Sequence, residues 1–431
     1  MGDTRPVAVE LMRTLDEKFI ANSIVFESAR PAAGFIADGA ALRRADGSLD
    51  RELIRRIIAG GSRRMPAMRQ RLMPSPLGLT TPGWVEIDDL DLDFHVRFLD
   101  DVIDDADLAE VLSGRRNGEM RLDRPLWDFL VGESASGDVV IVGRVHHAFG
   151  DGIFGMRVFD ALVADQPYDP GAIDESRPLI RAPRTGAAMM VAAGRAWWAA
   201  QDGPGGAWRE YWRKPFRKRL SRWGGRMLRP IRNREIARRG LMQQHLPQWR
   251  SAFAAFDHSR VHRRARELGG SVNSLTVAVA LEAVEELMDA TGDPALLVPI
   301  SRRVGSGGDE RNHVRMVRVS RPAGTVLEDA VPLVQAAIER AAATGETGTA
   351  DGGWSGYASY LPGRARPQYF GPSRVRRLTL WPVVDPKDDL AVFTSSYGGT
   401  LSLAVTARPE VDLDEVVARF ALRFPVKEMV A

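Results

Sequence analysis

The feature that most constrains the fold is one run of about twenty-five residues in the first half of the chain. Gly137-Asp138 is a turn signal, and the seven residues Val139–Val145 that follow it are almost all β-branched and apolar. That run is too short for a buried helix and reads as a strand buried on at least one face. It gives way to His146-His147-Ala148-Phe149-Gly150-Asp151-Gly152, and residues 153–164 then return to helical spacing. Strand, turn and helix in such close succession point to an α/β architecture.

The pattern recurs along the chain. Residues 53–59 have helical spacing, and 272–288 form a strongly apolar helix. Residues 296–300 and 314–319 read as strands, 325–343 as a helix, 400–406 as an alternating strand, and 413–424 as a closing helix. No 20–50-residue repeat is present. Three sections result: an α/β section 1–165, a connector 166–245, and a second α/β section 246–431. At 431 residues the chain is long enough for two full cores.

The connector is set apart by charge. Residues 181–240 hold 16 of the 59 basic residues and only Asp202, Glu210 and Glu235 as acids, while the whole chain is only +3. Five of the ten tryptophans lie there too: Trp197, Trp198, Trp208, Trp212 and Trp223. A solvated linker would show such charge, and so would a surface that meets anionic lipid, where guanidinium binds phosphate and indole sits at headgroup level. A nucleic-acid partner is not expected, because no nucleic-acid fold motif accompanies the charge. No stretch reaches the roughly 18 uncharged residues of a membrane span. The charged start of the chain does not read as a secretion signal. A cytoplasmic location is expected, either free or peripheral at the inner membrane face.

The absence of cysteine excludes disulfides, thiolate metal sites and a cysteine acyl-enzyme. No Gly-x-Ser-x-Gly elbow, phosphate-binding glycine loop or His-Glu-x-x-His is present, so serine hydrolysis, nucleotide hydrolysis and zinc hydrolysis lack support. His258 and His262 are four apart but lack a third ligand, and no metal is expected. The histidine pair at the strand end is left as the chemical centre. Histidine moves protons near neutral pH, and a strand end beside a turn offers rigid support next to open space.

Several further stretches carry a family likeness. Met65-Pro66-Ala67-Met68-Arg69-Gln70-Arg71-Leu72, Asp91-Leu92-Asp93-Phe94-His95-Val96, Leu122-Asp123-Arg124-Pro125-Leu126-Trp127 and Val298-Pro299-Ile300-Ser301-Arg302 accompany the histidine motif. With these the chain resembles the bacterial wax ester synthase/diacylglycerol O-acyltransferase family. That family belongs to the superfamily sharing the chloramphenicol acetyltransferase-like fold with condensation domains. Two stretches depart from the family pattern: Asn273-Ser274 replaces Asn-Asp, and Tyr360-Leu361-Pro362-Gly363-Arg364 replaces Asn-Val-Pro-Gly-Pro.

The resemblance implies two α/β sandwich domains with a channel between them. It implies an O-acyltransferase that joins a fatty acyl group from acyl-CoA to a lipophilic alcohol or diacylglycerol. In this reading His147 is the general base and no covalent acyl-enzyme forms. Acyl-CoA is a co-substrate, and no permanently bound cofactor is expected. His146 takes a packing role. Asp151 caps the following helix and pairs with a buried arginine, for which Arg69, Arg71 and Arg302 are the candidates. Gly152 allows a tight turn. Asn273 is either a helix cap or lends its amide to the oxyanion or to the fold of the pocket, and Trp127 packs around the channel or touches substrate. Two alternatives stay open: a natural-product acyltransferase or condensation-type enzyme with another acceptor or a carrier-bound donor, and a relative that binds acyl groups or lipid without turnover.

Overall fold

The computed structural model describes residues 10–12, 16, 19–20, 32–73, 82–87, 89–103, 120–172, 186–199, 249–287, 292–303, 311–344, 353–381 and 388–425. Within them the strands are β1 (Glu10–Leu11), β2 (Ala32–Ala37), β3 (Gln70–Met73), β4 (Gly83–Glu86), β5 (Val96–Ile103), β6 (Trp127–Ser134), β7 (Val139–Val145) and β8 (Arg250–Asp257). They continue as β9 (Ala295–Ser301), β10 (Val314–Ser320), β11 (Gly356–Leu361), β12 (Tyr369–Phe370), β13 (Ser373–Trp381), β14 (Leu390–Tyr397) and β15 (Thr400–Ala407). The helices are α1 (Arg51–Arg64), the short α2 (Leu92–His95), α3 (Gly152–Leu162), α4 (Gly186–Ala199), α5 (His258–Glu267), α6 (Val272–Leu287), α7 (Leu327–Thr344) and α8 (Leu413–Arg423).

Two mixed six-stranded sheets form the two bodies. One has the order β12-β13-β2-β7-β6-β5 and the other β10-β9-β11-β14-β15-β8. A third sheet, β1-β4-β3, is small. The hairpin β12–β13 comes from the second half of the chain but pairs with β2 of the first, in antiparallel register from Trp381↔Ala32 to Val375↔Ala37. No single cut in the sequence therefore separates the two sheets.

Helix α1 shows how sequence builds the first core. Asp50 caps it by accepting the Leu53 N–H at 3.0 Å, and Ile54, Ile57 and Ile58 face inward. Gly61 sits where a Cβ would run into Leu162 of α3, so the glycine lets the two helices approach closely. The first core is rich in aromatics, including Phe35, Trp84, Trp127, Phe149, Phe154 and Phe159. Around α6 the second core is largely Val, Ala and Leu, because this helix is buried on nearly every face.

Only the first part of the expected connector lies within the described residues. Helix α4 packs Ala192 against Val85 of the small sheet, with Leu11 and Met73 beside them. The Arg/Trp-rich residues 200–248 lie outside the described residues, as do the side chains of Trp197 and Trp198. No described helix is long and apolar enough to cross a membrane.

Candidate active site

The expected strand and helix are both present, and the histidines fall between them. β7 ends at Val145, so His146 and His147 open a tight turn instead of continuing the strand's alternation. The His146 N–H donates to the Leu126 carbonyl, and the Phe149 N–H reaches back to the His146 carbonyl at 2.7 Å. His146 is buried, and its Nδ1 accepts the Ala148 N–H at 3.0 Å. It thus folds the loop, in agreement with the packing role expected of it. His147 is half-buried, and its Nδ1 has no hydrogen-bond partner of normal geometry among the described residues. Burial pushes its imidazole below the ordinary histidine value, while its own carbonyl, the Asp151 carboxylate and Asn312 oppose the shift.

Asp151 ties the loop to the rest of the protein. Oδ1 accepts the Phe154 N–H and so caps α3, as expected. Oδ2 accepts from the Arg303 guanidinium at 2.8 Å and from the His313 N–H at 2.9 Å. Both side chains of the ion pair are almost fully buried, at 5% and 4% exposure. The partner is therefore Arg303 and none of the three expected arginines. β9 ends at Ser301; Arg302 lies exposed beyond it, and its immediate neighbour turns inward. Arg69 directs Nη2 toward the Ile87 carbonyl, and Arg71 donates to the Leu72 carbonyl, so both serve the small sheet.

The other expected residues can be placed as well. Trp127 is about 1% exposed, and its indole N–H donates to the Met68 carbonyl at 2.7 Å. Its own carbonyl faces His95 Nδ1 at 2.7 Å. This indole is a strut of the first core, the packing part of what was expected of it. Asn273 is not the cap of α6. Ser271 and Ser274 share that work reciprocally: the Ser271 hydroxyl accepts the Ser274 N–H, and the Ser274 hydroxyl accepts the Ser271 N–H. Asn273 Oδ1 instead accepts the Tyr360 N–H at 3.2 Å. The tight turn requires glycine at 150, where any Cβ would overlap the Phe154 ring. At Gly152 a Cβ would meet only Leu361 and Phe393 at ordinary contact distance. Gly152 thus marks where the start of α3 faces the second sheet.

Sequence reasoning missed the segment Arg311-Asn312-His313, which reaches from the second sheet into the histidine loop. The Arg311 carbonyl accepts the Asp151 N–H at 3.0 Å, and its guanidinium lies 4.1 Å from the Trp84 ring. Asn312 Nδ2 donates to the His147 carbonyl at 2.8 Å. The sole sequence signal was three polar residues placed just before an apolar strand.

The departures from the family pattern fall at the junction of the two halves. Strands β8, β11 and β14 run parallel and end on one edge of the second sheet. There the Tyr360 hydroxyl meets Ser396 Oγ at 3.1 Å and His258 Nε2 at 3.2 Å. Burial lowers the His258 pKa, helped by His262 and opposed by Asp257. Burial also raises the Tyr360 pKa, with Ser396 opposing. Arg364 crosses to Asp160 of α3 at 2.9 Å. His258 is thus engaged with a tyrosine, and no group of His, Asp or Glu among the described residues could hold a metal ion.

Comparison with known proteins agrees with this geometry. Residues 39–276 match the sequence model described as the wax ester synthase/diacylglycerol acyltransferase catalytic domain. The chain belongs to this family. A Mycobacterium tuberculosis (strain H37Rv) protein named as a diacylglycerol O-acyltransferase is 27% identical over 249 residues, 53% of this chain and 49% of that one. Another from the same strain is 34% identical over 139 residues, covering 30% and 27% of the two chains. The chain thus spans about half the length, or less, of the curated relatives it matches. Among solved structures, the wax ester synthase/diacylglycerol acyltransferase of Marinobacter aquaeolei VT8 superimposes with a TM-score of 0.58 at 15% identity, over 96% of this chain and 99% of that one. The first condensation domain of the CDA synthetase gives 0.59 at 16% identity, over 96% and 95%. At such identities the likeness shows the fold: two facing α/β bodies of the condensation-domain type.

Proposed function

We propose that this chain is an acyl-CoA-dependent O-acyltransferase that joins a fatty acyl group to a lipophilic alcohol or a diacylglycerol, with His147 as general base. The observation that carries the reading is the state of His147. Its backbone is clamped from the second half of the chain, and burial favours its neutral form. A neutral imidazole on a fixed support is what a base for a hydroxyl needs.

In this mechanism the acceptor hydroxyl gives its proton to His147, and its oxygen attacks the thioester carbonyl carbon. The tetrahedral intermediate then collapses, the C–S bond breaks, and the imidazolium protonates the departing CoA thiolate. The proton makes a round trip, and no acyl group rests on the protein. Asp151 and Arg303 act by holding the loop, because both carboxylate oxygens are already engaged in capping and pairing.

The test is CoA release from a panel of acyl-CoAs with hexadecanol, a diacylglycerol and a polar alcohol as acceptors, with products identified by mass spectrometry. Ester formed with the lipid alcohols and lost in His147→Ala supports the reading. Acyl-CoA binding without any ester overturns it. In the same reading residues 181–240 meet an anionic membrane or lipid-droplet surface, at the inner membrane face. Binding to phosphatidylglycerol vesicles, absent with phosphatidylcholine vesicles and lost when the arginines of 213–239 become glutamine, is the expected result.

A further inference from the structure

Two side chains from the start of the chain reach the histidine loop. The Phe19 ring lies flat against the His147 imidazole, with centroids 3.8 Å apart and planes 12° from parallel. Three residues earlier in the sequence, Asp16 is about 1% exposed, and its Oδ1 accepts from Asn312 Nδ2 at 2.8 Å. The same amide nitrogen donates to the His147 carbonyl. Both of its neighbours are acceptors, a carboxylate and a carbonyl, so the amide must present its nitrogen to them. Asn312 is itself buried. The backbone of His147 is therefore held through a chain of two hydrogen bonds that ends on Asp16.

We propose that Asp16 and Phe19 are positioning residues for His147: Phe19 sets the plane of the imidazole and keeps water from one of its faces, and Asp16 sets the height of its backbone through Asn312. The proposal rests on His147 as the base. A ring free to rotate about χ2 would present its nitrogens in many directions, and stacking against a fixed aromatic face restricts it to two. The carboxylate has a separate effect. It aligns the one donor that the His147 carbonyl receives from the second half of the chain. Neither residue touches a reacting atom in this account.

Among the described residues, the charged and titratable groups around His147 are Asp16 from the N-terminal segment, Asp151 paired with Arg303, His146 on the loop, Arg311 paired with Glu10, and His313, whose N–H binds Asp151. None of them is altered in a Phe19 variant, so a change in His147 titration there reports the loss of the covering ring, through its stacking and its exclusion of water.

The experiment uses the full chain with Phe19→Leu, Phe19→Tyr and Asp16→Ala. The His147 imidazole is followed by NMR with isotope-labelled histidine, and its signal is assigned by its absence in His147→Ala. With Phe19→Leu the ring-current shift disappears, the imidazole pKa rises toward the ordinary histidine value, and kcat falls on the order of 10- to 100-fold with KM little changed. Phe19→Tyr restores all three. Asp16→Ala, which removes the acceptor for Asn312, lowers kcat while leaving the ring-current shift in place. Unchanged His147 titration and pH profile in a folded Phe19→Leu protein would overturn the proposal. A loss of activity that Phe19→Tyr does not rescue would overturn it as well. If the unaltered protein forms no ester with any acceptor, the reading of His147 as base fails, and the NMR comparison still decides whether Phe19 sets the imidazole. Should Phe19→Leu fail to fold, Asp16→Ala decides: retention of full kcat there sinks the proposal.

Discussion

The two six-stranded sheets have the same number of strands and opposite styles. The first body is packed with aromatics that keep a polar handle, such as Trp127 donating to Met68 and Tyr397 donating to the Val375 carbonyl. Most of the second body's core is aliphatic, and its polar groups gather at the edge where β8, β11 and β14 end. The histidines belong to the first body, yet Arg303, Arg311 and Asn312 of the second hold their loop. Neither half is complete at the site. One supplies the histidine loop and the other supplies the contacts that hold it.

The sharpest way to break that division is His147→Ala. Turnover should fall about 10²- to 10⁴-fold while circular dichroism and the unfolding midpoint stay near those of the unaltered protein. A comparable loss from His258→Ala at equal stability would shift the chemistry toward the second body. Next comes the bridge itself. Asp151→Asn leaves the buried Arg303 without its counter-ion and should cost about 3–5 kcal/mol in denaturant unfolding, with much of it regained when Arg303→Met is added. If the double variant is no more stable than the single, the pair does not join the halves energetically.

Acid should weaken the protein through its buried histidines. Burial lowers the pKa of His147, and it lowers that of His95 against the opposing Trp127 carbonyl. For such groups the unfolded chain binds protons first. Stability is therefore full above about pH 6.5 and is lost progressively as pH falls through the folded-state values. His95→Gln should flatten that slope. The acid limb of kcat/KM should lie below about pH 6.5, because His147 stays neutral to lower pH. A limb at or above that value would contradict the burial of the imidazole. The smallest expected effect is in the second body. Ser271→Ala removes one side of the reciprocal cap of α6 and should cost about 1 kcal/mol in the unfolding free energy, with little change in kcat.

Local pattern was enough for five of the eight described helices but for only four of the fifteen described strands. The apolar run before the histidines is β7, and the spacings at 53–59, 272–288 and 325–343 lie in α1, α6 and α7. β13 escaped because its inner half, Ser373-Arg374-Val375-Arg376-Arg377, carries three arginines, and its pairing partner β2 lies far away in sequence. The family was legible for a related reason: its motifs are short, contiguous and tied to local turns.

What the sequence by itself determined was the α/β class, the strand–turn–helix unit that presents His147, and the cap that Asp151 places on α3. Each depends on residues within a few positions of one another, where spacing and turn chemistry act directly. Only the tertiary structure decided that Arg303 and not Arg302 meets Asp151, that Trp127 is a strut, and that Ser271 and not Asn273 caps α6. It alone decided that Asp16, Phe19 and Asn312 gather around His147. The physical reason is that a buried charge or ring takes whatever partner the packing of distant segments brings within hydrogen-bond or stacking distance. A one-residue change in where a strand ends is enough to exchange one arginine for its neighbour.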